Sequence, residues 1–579
     1  MKNFKNILIS VFILTFSLSL FSQSVNLNDP EFQNMIFKAQ TNGRLRVMIT
    51  FSVPDLIKLT KKSTQFKTGT TPSNVLKQKA YNADLKLENA IFKVADKILF
   101  NMNNTDYKVT RRYSTLPFLA ISASPEALYI LKDLPEVKSI TEDKLIHLPK
   151  PVESTMDKTP DRPQLMESTK VVGADLAWSM GVTGKGWYVA ILDTGIRKTH
   201  NMFKGKDIVE ACYSAEGDCP NGTTQMIGDG AAAHFYDHSD ANGYDHGTHV
   251  AGIAAGNNHT AIFGVAKEAN IIAIQVFSYF ASDNSVGSWS SDQIKALEYV
   301  YQQRNNYNIA AANLSLGGGS FSSFCDGSHS QYKKIIDNLI NVGIATIIAT
   351  GNEYYCNAVD SPSCISSAIA VGATKKTDVE ASFSNWKNGM VDLYAPGVSI
   401  YSSTGDNDSS FEGWNGTSMA TPHVTGAWAL LKQLDRKISV AKALKLLRDK
   451  GKIIHTNCSS GGSQSRVDIG ASAQSLLIVA PPLNFSGVQK ISNSLLQIEY
   501  LNKLTWDSNP FNSNKGKNIV KYKIFLYDGT NLNLISEVDG STFEYLHRKL
   551  EKDKEYSYAI KAVTDSGEES IPSYIEVKQ

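Results

Sequence analysis

Four short stretches of this sequence carry residue types able to do chemistry. They are Asp193-Thr194-Gly195-Ile196, His246-Gly247-Thr248-His249, Gly351-Asn352-Glu353 and Gly416-Thr417-Ser418-Met419. A serine becomes a nucleophile only when a base takes its proton and donors stabilise the resulting charge. Ser418 follows a tight Gly-Thr turn and precedes apolar residues at helical spacing: Val424, Ala427, Trp428, Leu430 and Leu431. That pattern puts it at the N-terminus of a buried helix. There, free backbone N–H groups and the helix dipole favour developing negative charge, although the same place suits a plain N-cap serine. Asp193 directly follows an apolar strand and is placed to hold a base; read alone, it is an Asx-turn residue. His246 and His249 stand three apart on an expected helix. The zinc-protease pattern needs histidines four apart around a glutamate, so no metal ligand set is assigned. Asn352 ends another strand, where its amide can donate to an oxyanion; read alone, it is a turn asparagine.

These residues need a frame. Trp187–Leu192, Ile271–Val276 and Ala345–Ala349 are continuous apolar runs of strand length, with helices expected over 290–304 and 331–342. Strands buried on both faces and separated by helices mean a parallel sheet in an α/β domain, whose ligands bind beyond the carboxyl ends of the strands. Ahead of it, residues 44–146 read as a small α+β unit. Strands are expected at Leu45–Phe51, from Tyr107, at Leu116–Ile121 and over Leu134–Ile140. One helix is expected over 75–100, and another opens at Ser124-Pro125 with the serine as cap. Residues from 24 to about 42 show no pattern. The prolines and charges of 147–168 mark a linker. After Ala480-Pro481-Pro482, short alternating strands around Trp506, Tyr522–Leu526 and Tyr556–Val563 are punctuated by Asp-Gly and Ser-Gly turns. They read as an all-β sandwich over 480–579.

Composition sets the remaining bounds. A chain of 579 residues holds several domains, and 42% hydrophobic with 20% charged residues is ordinary globular composition. The net charge of +2 gives no reason to expect nucleic acid or an anionic membrane as partner. Lys2 and Lys5 before an apolar run from Ile7 to Phe21 read as a signal peptide over 1–23, with cleavage near Ser22-Gln23-Ser24, so export is expected. Six cysteines suit that compartment, and all lie between 193 and 470. Their connectivity does not follow from sequence. Cys212 with Cys219 and Cys325 with Cys364 are two candidate pairs.

Taken together, 191–196, 246–252, 349–353 and 416–423 resemble the motif blocks of the subtilisin-like serine endopeptidases. Asn313-Leu314-Ser315-Leu316-Gly317-Gly318 resembles that family's substrate-binding strand, and Ala370–Ala373 and Tyr394–Gly397 resemble two of its structural blocks. Four blocks in one order are specific where any one is weak. The resemblance covers roughly 170–475 and implies a catalytic domain over 169–478. It implies Ser418 as nucleophile, His246 as general base, Asp193 as its orienting carboxylate and Asn352 as oxyanion donor. Ser315, Leu316, Gly317 and Gly318 would bind substrate. His249 and His423 match structural histidines. Residues 44–146 resemble the family's inhibitory propeptide and make the core of a propeptide expected over 24–146, removed by a cut within about 145–168. The C-terminal part resembles a fibronectin type III module, with Trp506 in its core and Tyr556 as a corner tyrosine.

The sequence also departs from the family. Met202 stands nine residues after Asp193, where relatives often place a calcium-binding carboxylate, and the loop 257–263 is a residue short. The usual calcium site is therefore read as lost, and no cofactor is required. A structural calcium in the 205–240 insertion stays open, with Asp207, Asp218, Asp229, Asp237 and Asp240 as oxygen donors. Counting back from Val371-Gly372-Ala373 puts Asp360 near the base of the primary (S1) pocket, with Glu353 on its rim. Two acids there favour Lys or Arg before the cut bond. The resulting expectation is a secreted, monomeric, self-processed endopeptidase acting on proteins and peptides. The competing readings are a catalytically dead relative serving as a binding protein, and an esterase or ligase using the same acyl-enzyme.

Overall fold

The computed structural model describes residues 29–63, 74–148, 152–153, 165–235, 243–493, 498–528, 531–552 and 554–577. The signal-peptide reading, part of the linker, and Asp237 and Asp240 lie outside these residues.

Alternating side chains build the N-terminal unit. Its strands form an antiparallel sheet in the order Tyr107–Arg112, Phe118–Ala123, Leu45–Phe51, Val137–Glu142. Val47, Ile49, Leu119 and Ile121 point to one face and pack on Leu87, Ile91 and Ile98 of the helix Asn74–Phe100. Met48, Phe118 and Ala120 point to the other face, against Ile294, Leu297, Tyr332 and Ile335 of the next unit. One sheet thus has its own core on one side and an interface on the other, as the period of two requires. Ser124 caps the helix Pro125–Asp133 by accepting from Ala127 N at 3.2 Å. Residues 30–42, where no pattern was expected, form the helix Pro30–Asn42, capped by Asp29. Phe32, Met35, Ile36 and Ala39 make its narrow buried stripe, at the i, i+3, i+4, i+7 spacing of one helix face.

The central unit is a mixed sheet covered by helices on both faces. Its parallel run is ordered Ile208–Tyr213, Asn270–Gln275, Tyr188–Asp193, Ile309–Leu314, Ala345–Ala349, Ile369–Thr374, Leu393–Pro396. Successive strand residues face opposite cores. Val189, Ile191, Ile271 and Ile347 meet Val250, Val424 and Ala427 of the helices His246–Ala255 and Thr417–Leu434. Leu192, Ile272, Ile274 and Ile348 meet Ile294, Leu297, Ile335 and Leu339 of Ser290–Gln302 and Ser330–Asn341. Each such side chain fully removed from water stabilises the fold by about 1.5–3 kcal/mol.

Three disulfides staple this unit: Cys212–Cys219, Cys325–Cys364 and Cys356–Cys458. The first two are the pairs named from sequence. The third, across 102 residues, ties the loop after Asn352 to the edge hairpin Lys452–His455/Ser463–Arg466.

The segment read as linker is partly structured. Leu145–His147 pairs antiparallel with Gly287–Trp289, and Val152–Glu153 pairs with Trp414–Asn415. A helix already begins at Leu165. Strand pairing uses backbone groups, which prolines and charges in the sequence conceal.

Beyond residue 480, two sheets pack together: Leu483–Asn493, Ile498–Asp507, Glu544–Leu550, and Leu532–Asp539, Ile519–Tyr527, Tyr556–Thr564, Ser573–Val577. Trp506 is buried between them against Tyr522. The Tyr556 hydroxyl accepts from Glu551 N at 3.1 Å, which fixes the corner leading into its strand.

Candidate active site

Asp193 is the last residue of its strand and is buried. Its Oδ1 accepts from Thr194 N at 2.8 Å and faces His246 Nδ1 at 2.8 Å. His246 opens the helix His246–Ala255. The approach is close enough to demand glycine next: a Cβ on Gly247 would lie 2.2 Å from Gly195 O and 3.0 Å from Asp193 Cβ. The Trp414 indole lies parallel to both histidine rings, 4.2 Å from His249 and 6.2 Å from His246. His249 Nε2 contacts Glu412 O, and His423 contacts Met419 O and Ser168 Oγ. Burial lowers their proton affinity, to about 3 for His249 and about 4 for His423. Neutral, buried and tied to fixed partners, both are structural.

Ser418 is the second residue of the helix Thr417–Leu434, as its apolar spacing implied. Its hydroxyl donates to Ser315 O at 3.0 Å, and Ser315 Oγ returns a bond to Ser418 O at 2.8 Å. The described contacts therefore join Asp193 to His246 and turn Ser418 toward the Ser315 strand. Asn352 Oδ1 accepts from Thr417 N and Thr417 Oγ1, both at 2.9 Å. With its oxygen held, the Asn352 amide presents Nδ2 as its free-running donor, on the side of Gly416.

Ser315, Leu316, Gly317 and Gly318 leave the strand Ile309–Leu314 beside Ser418, and Gly318 pairs with Ser361. Opposite them runs Gly351-Asn352-Glu353. Buried Asp360 packs against a glycine of each segment. A Cβ on Gly317 would lie 3.0 Å from Asp360 Cβ, and one on Gly351, whose φ is +105°, would lie 2.4 Å from Asp360 Oδ2. Burial, then the Glu353 charge and a hydrogen bond to Glu353, raise the Asp360 carboxyl to about 8. Asn385, not singled out from sequence, donates to Glu353 Oε2 at 2.6 Å and to Asp360 Oδ1 at 3.2 Å.

The chain itself runs along this cleft. Ile146 lies over Gly318, Leu148 N donates to Val286 O at 3.4 Å, and Leu148 packs over Gly243. Val152–Glu153 pairs with Trp414–Asn415, just ahead of Ser418 in the chain. Buried ion pairs and hydrogen bonds join the two units behind it: Arg111 to Asp292, Asp143 to Ser291, Thr115 to Glu298 and Asp84 to Arg304.

In the loop 257–263 the asparagine side-chain oxygens are already engaged by backbone donors. Asn258 Oδ1 accepts from the backbone of Thr260, Ala261 and Ile262, Asn257 Oδ1 accepts from His259 N, and buried Met202 packs against Gly256. In the insertion, Asp207 bonds Tyr188, Asp218 bonds Ser214, and Asp229 pairs with Lys198. Among the described residues no three acidic, His or Cys side chains converge as a metal site.

Comparison with known proteins shows the family. Residues 184–470 match the model of the "Subtilase family". The chain is 30% identical over 336 residues to the alkaline proteinase of Hapsidospora chrysogena, covering 55% of this chain and 71% of that protein. It is 31% identical over 340 residues to the alkaline protease of Alkalihalobacillus alcalophilus, covering 58% and 74%. It is 36% identical over 259 residues to the extracellular serine proteinase of Thermus sp. (strain Rt41A), covering 45% and 53%. An Asp–His pair at strand and helix ends, a serine at a helix N-terminus and these relatives lead to one conclusion: the chain belongs to the subtilase family and is a serine endopeptidase.

Proposed function

We propose that this endopeptidase is secreted as a zymogen and that Asp193, His246 and Ser418 are its catalytic triad. The observation that carries the reading is the 2.8 Å contact between Asp193 Oδ1 and His246 Nδ1, beside a helix N-terminus bearing Ser418. The Ser418 hydroxyl rotates from Ser315 O to His246, which takes its proton as Oγ attacks the scissile carbonyl. Asp193 holds the tautomer with a proton on Nδ1 and stabilises the imidazolium. The oxyanion forms between Ser418 N and Asn352 Nδ2. His246 then protonates the leaving amine, and a water it activates hydrolyses the acyl-enzyme.

Residues 24–146 act as the inhibitor in this reading, and the chain at 145–148 and 152–153 takes the place of substrate on either side of Ser418. The maturation cut then falls between Leu148 and Val152, inside the interval expected from sequence. Asp360 and Glu353 favour a basic residue before the cut bond. The sandwich over 480–579, fibronectin type III-like in its buried Trp506 and its Tyr556 corner, binds substrate or a surface, or acts as a spacer. A fluorophosphonate probe tests the nucleophile. Labelling at Ser418 that disappears in Ser418→Ala is expected; an unlabelled wild-type enzyme overturns the assignment. Cleavage profiling on a peptide library tests the pocket, and no enrichment of Lys or Arg removes the basic preference.

A further inference from the structure

We propose that Asp360, Glu353 and Asn385 form a proton-holding acid pair in the S1 pocket, so that the preference for basic residues is switched by pH and binding one expels a proton. The proposal rests on the S1 reading above and adds to it a mechanism of control.

Hydrogen-bond arithmetic at Asn385 carries the argument. Its Nδ2 has two hydrogens. Three oxygens compete for them: Thr350 O at 3.0 Å, Glu353 Oε2 at 2.6 Å and Asp360 Oδ1 at 3.2 Å. Thr350 O is already served by Asp360 N at 3.0 Å, so the two hydrogens fall to the two carboxyl oxygens, and one amide bridges both acids. Asn385 Oδ1 is occupied by Glu353 N and Tyr355 N, which fixes the amide in this orientation. Two carboxyls gathered on one neutral amide repel each other when both are charged, and a proton held by the pair relieves that repulsion, as in other like-charged pairs that share a site.

The surroundings offer no cation in its place. Asp360 is 2% exposed and makes no salt bridge among the described residues. The strand Gly318–Phe321 and the segment Thr350-Gly351 present backbone to it, and the following turn presents Ser363 and the disulfide-bonded Cys364. Glu353 is the charged neighbour that acts on it. Lys387, two residues after Asn385, donates to Asn357 Oδ1 at 2.7 Å. With Asp360 raised to about 8, the pair keeps its proton at neutral pH and loses it in mild alkali. The sign follows. A lysine or arginine side chain binds best to the deprotonated pair, so basic substrates gain as pH rises and a neutral side chain does not. If only the deprotonated pair takes the cation, a one-proton titration centred near 8 gives about a tenfold gain between pH 7 and pH 9.

The test is the ratio of kcat/KM for two peptides differing only in Lys or Leu before the cut bond, measured from pH 6 to pH 10 on the mature enzyme. The ratio cancels the titration of His246, which both peptides share. We expect it to rise about tenfold from pH 7 to pH 9 and then level off. In Asp360→Asn the ratio should be flat with pH, and in Glu353→Gln its midpoint should move down, because the like charge is gone. Calorimetry of a basic peptide inhibitor at pH 7, in two buffers of different ionisation enthalpy, should show about one proton released per molecule bound. A ratio that favours lysine equally at every pH, with no proton released, overturns the proton pair and leaves the basic preference standing. A ratio that favours leucine throughout overturns both. If Asp360→Asn fails to fold, the wild-type profile, the Glu353→Gln shift and the calorimetry still decide.

Discussion

Glu298→Ala is predicted to free the enzyme from its N-terminal unit without touching the catalytic groups. Glu298 is fully buried on the helix Ser290–Gln302, at the face covered by that unit. Its Oε1 accepts from Thr115 N at 2.6 Å and Thr115 Oγ1 at 2.8 Å, and its Oε2 accepts from Lys295 Nζ at 2.7 Å. The Lys295 bond lies within the catalytic unit and persists when the units part. The two Thr115 bonds do not. A hydrogen bond to a charged group contributes about 1.5–3 kcal/mol net, and a buried donor left without an acceptor costs about 1–3 kcal/mol. Against this, the variant no longer has to desolvate a carboxylate on association, a cost of several kcal/mol. The balance is about 3 kcal/mol, or about 150-fold in affinity between the cleaved halves. The assay is a dilution series of the processed, non-covalent complex, following the recovery of activity on a peptide substrate. The variant should reach half-maximal activity at about 150-fold higher protein concentration than wild type. Glu298→Gln, which keeps an acceptor for Thr115, should fall between the two. A dilution curve for Glu298→Ala within a factor of about three of wild type would refute the reasoning, since that is less than 1 kcal/mol.

Other perturbations follow from the same geometry. Asn352→Leu should lower kcat about 10²–10³-fold with little change in KM, measured by steady-state hydrolysis, because the donor is needed only once charge develops on the oxyanion. Gly247→Ala should abolish the Asp193–His246 alignment, since its new methyl would stand 2.2 Å from Gly195 O; a variant with at least half of wild-type activity contradicts the close approach. Mild acid should tighten the grip of the N-terminal unit. Burial outweighs the opposing Arg46 and Arg111 charges and raises Asp143, and raises Asp292 to about 6, so to the extent that the N-terminal unit supplies that burial, assembly takes up protons and is favoured as pH falls from 7 to 5. The effect is readable as a shift of the same dilution curve, and a shift in the opposite direction would contradict the sign.

How much of this was legible beforehand depended on whether the signal was local. Asp193, His246, Asn352 and Ser418 each sit in a short motif at the end of an element, so their places at a strand's last residue, a helix's first turn, a strand's exit and a helix's second residue could be anticipated. Strands such as Ala345–Ala349 are apolar on both faces because helices cover both sides, and that leaves an unbroken run in the sequence. The helix Pro30–Asn42 was missed because only four buried side chains mark it among polar neighbours. The strands Leu145–His147 and Val152–Glu153 were hidden for another reason: they pair through backbone groups with partners more than a hundred residues away, and side-chain pattern says nothing about that. Asn385 and Trp414 share this limit. Each looks ordinary in sequence, and only the fold brings one between two acids and the other onto two histidines. Asp360 was singled out by counting from a motif, and in the fold it lies against Gly317 and Gly351.

The central claim is that Ser418, activated by His246 and Asp193, cuts the chain that lies across it. Intact mass and N-terminal sequencing of the purified protein beside Ser418→Ala test it most directly. The account predicts a wild-type enzyme whose new N-terminus falls between residues 149 and 152, and a Ser418→Ala protein that remains joined through this segment. A Ser418→Ala protein cut at the same bond to the same extent would contradict it.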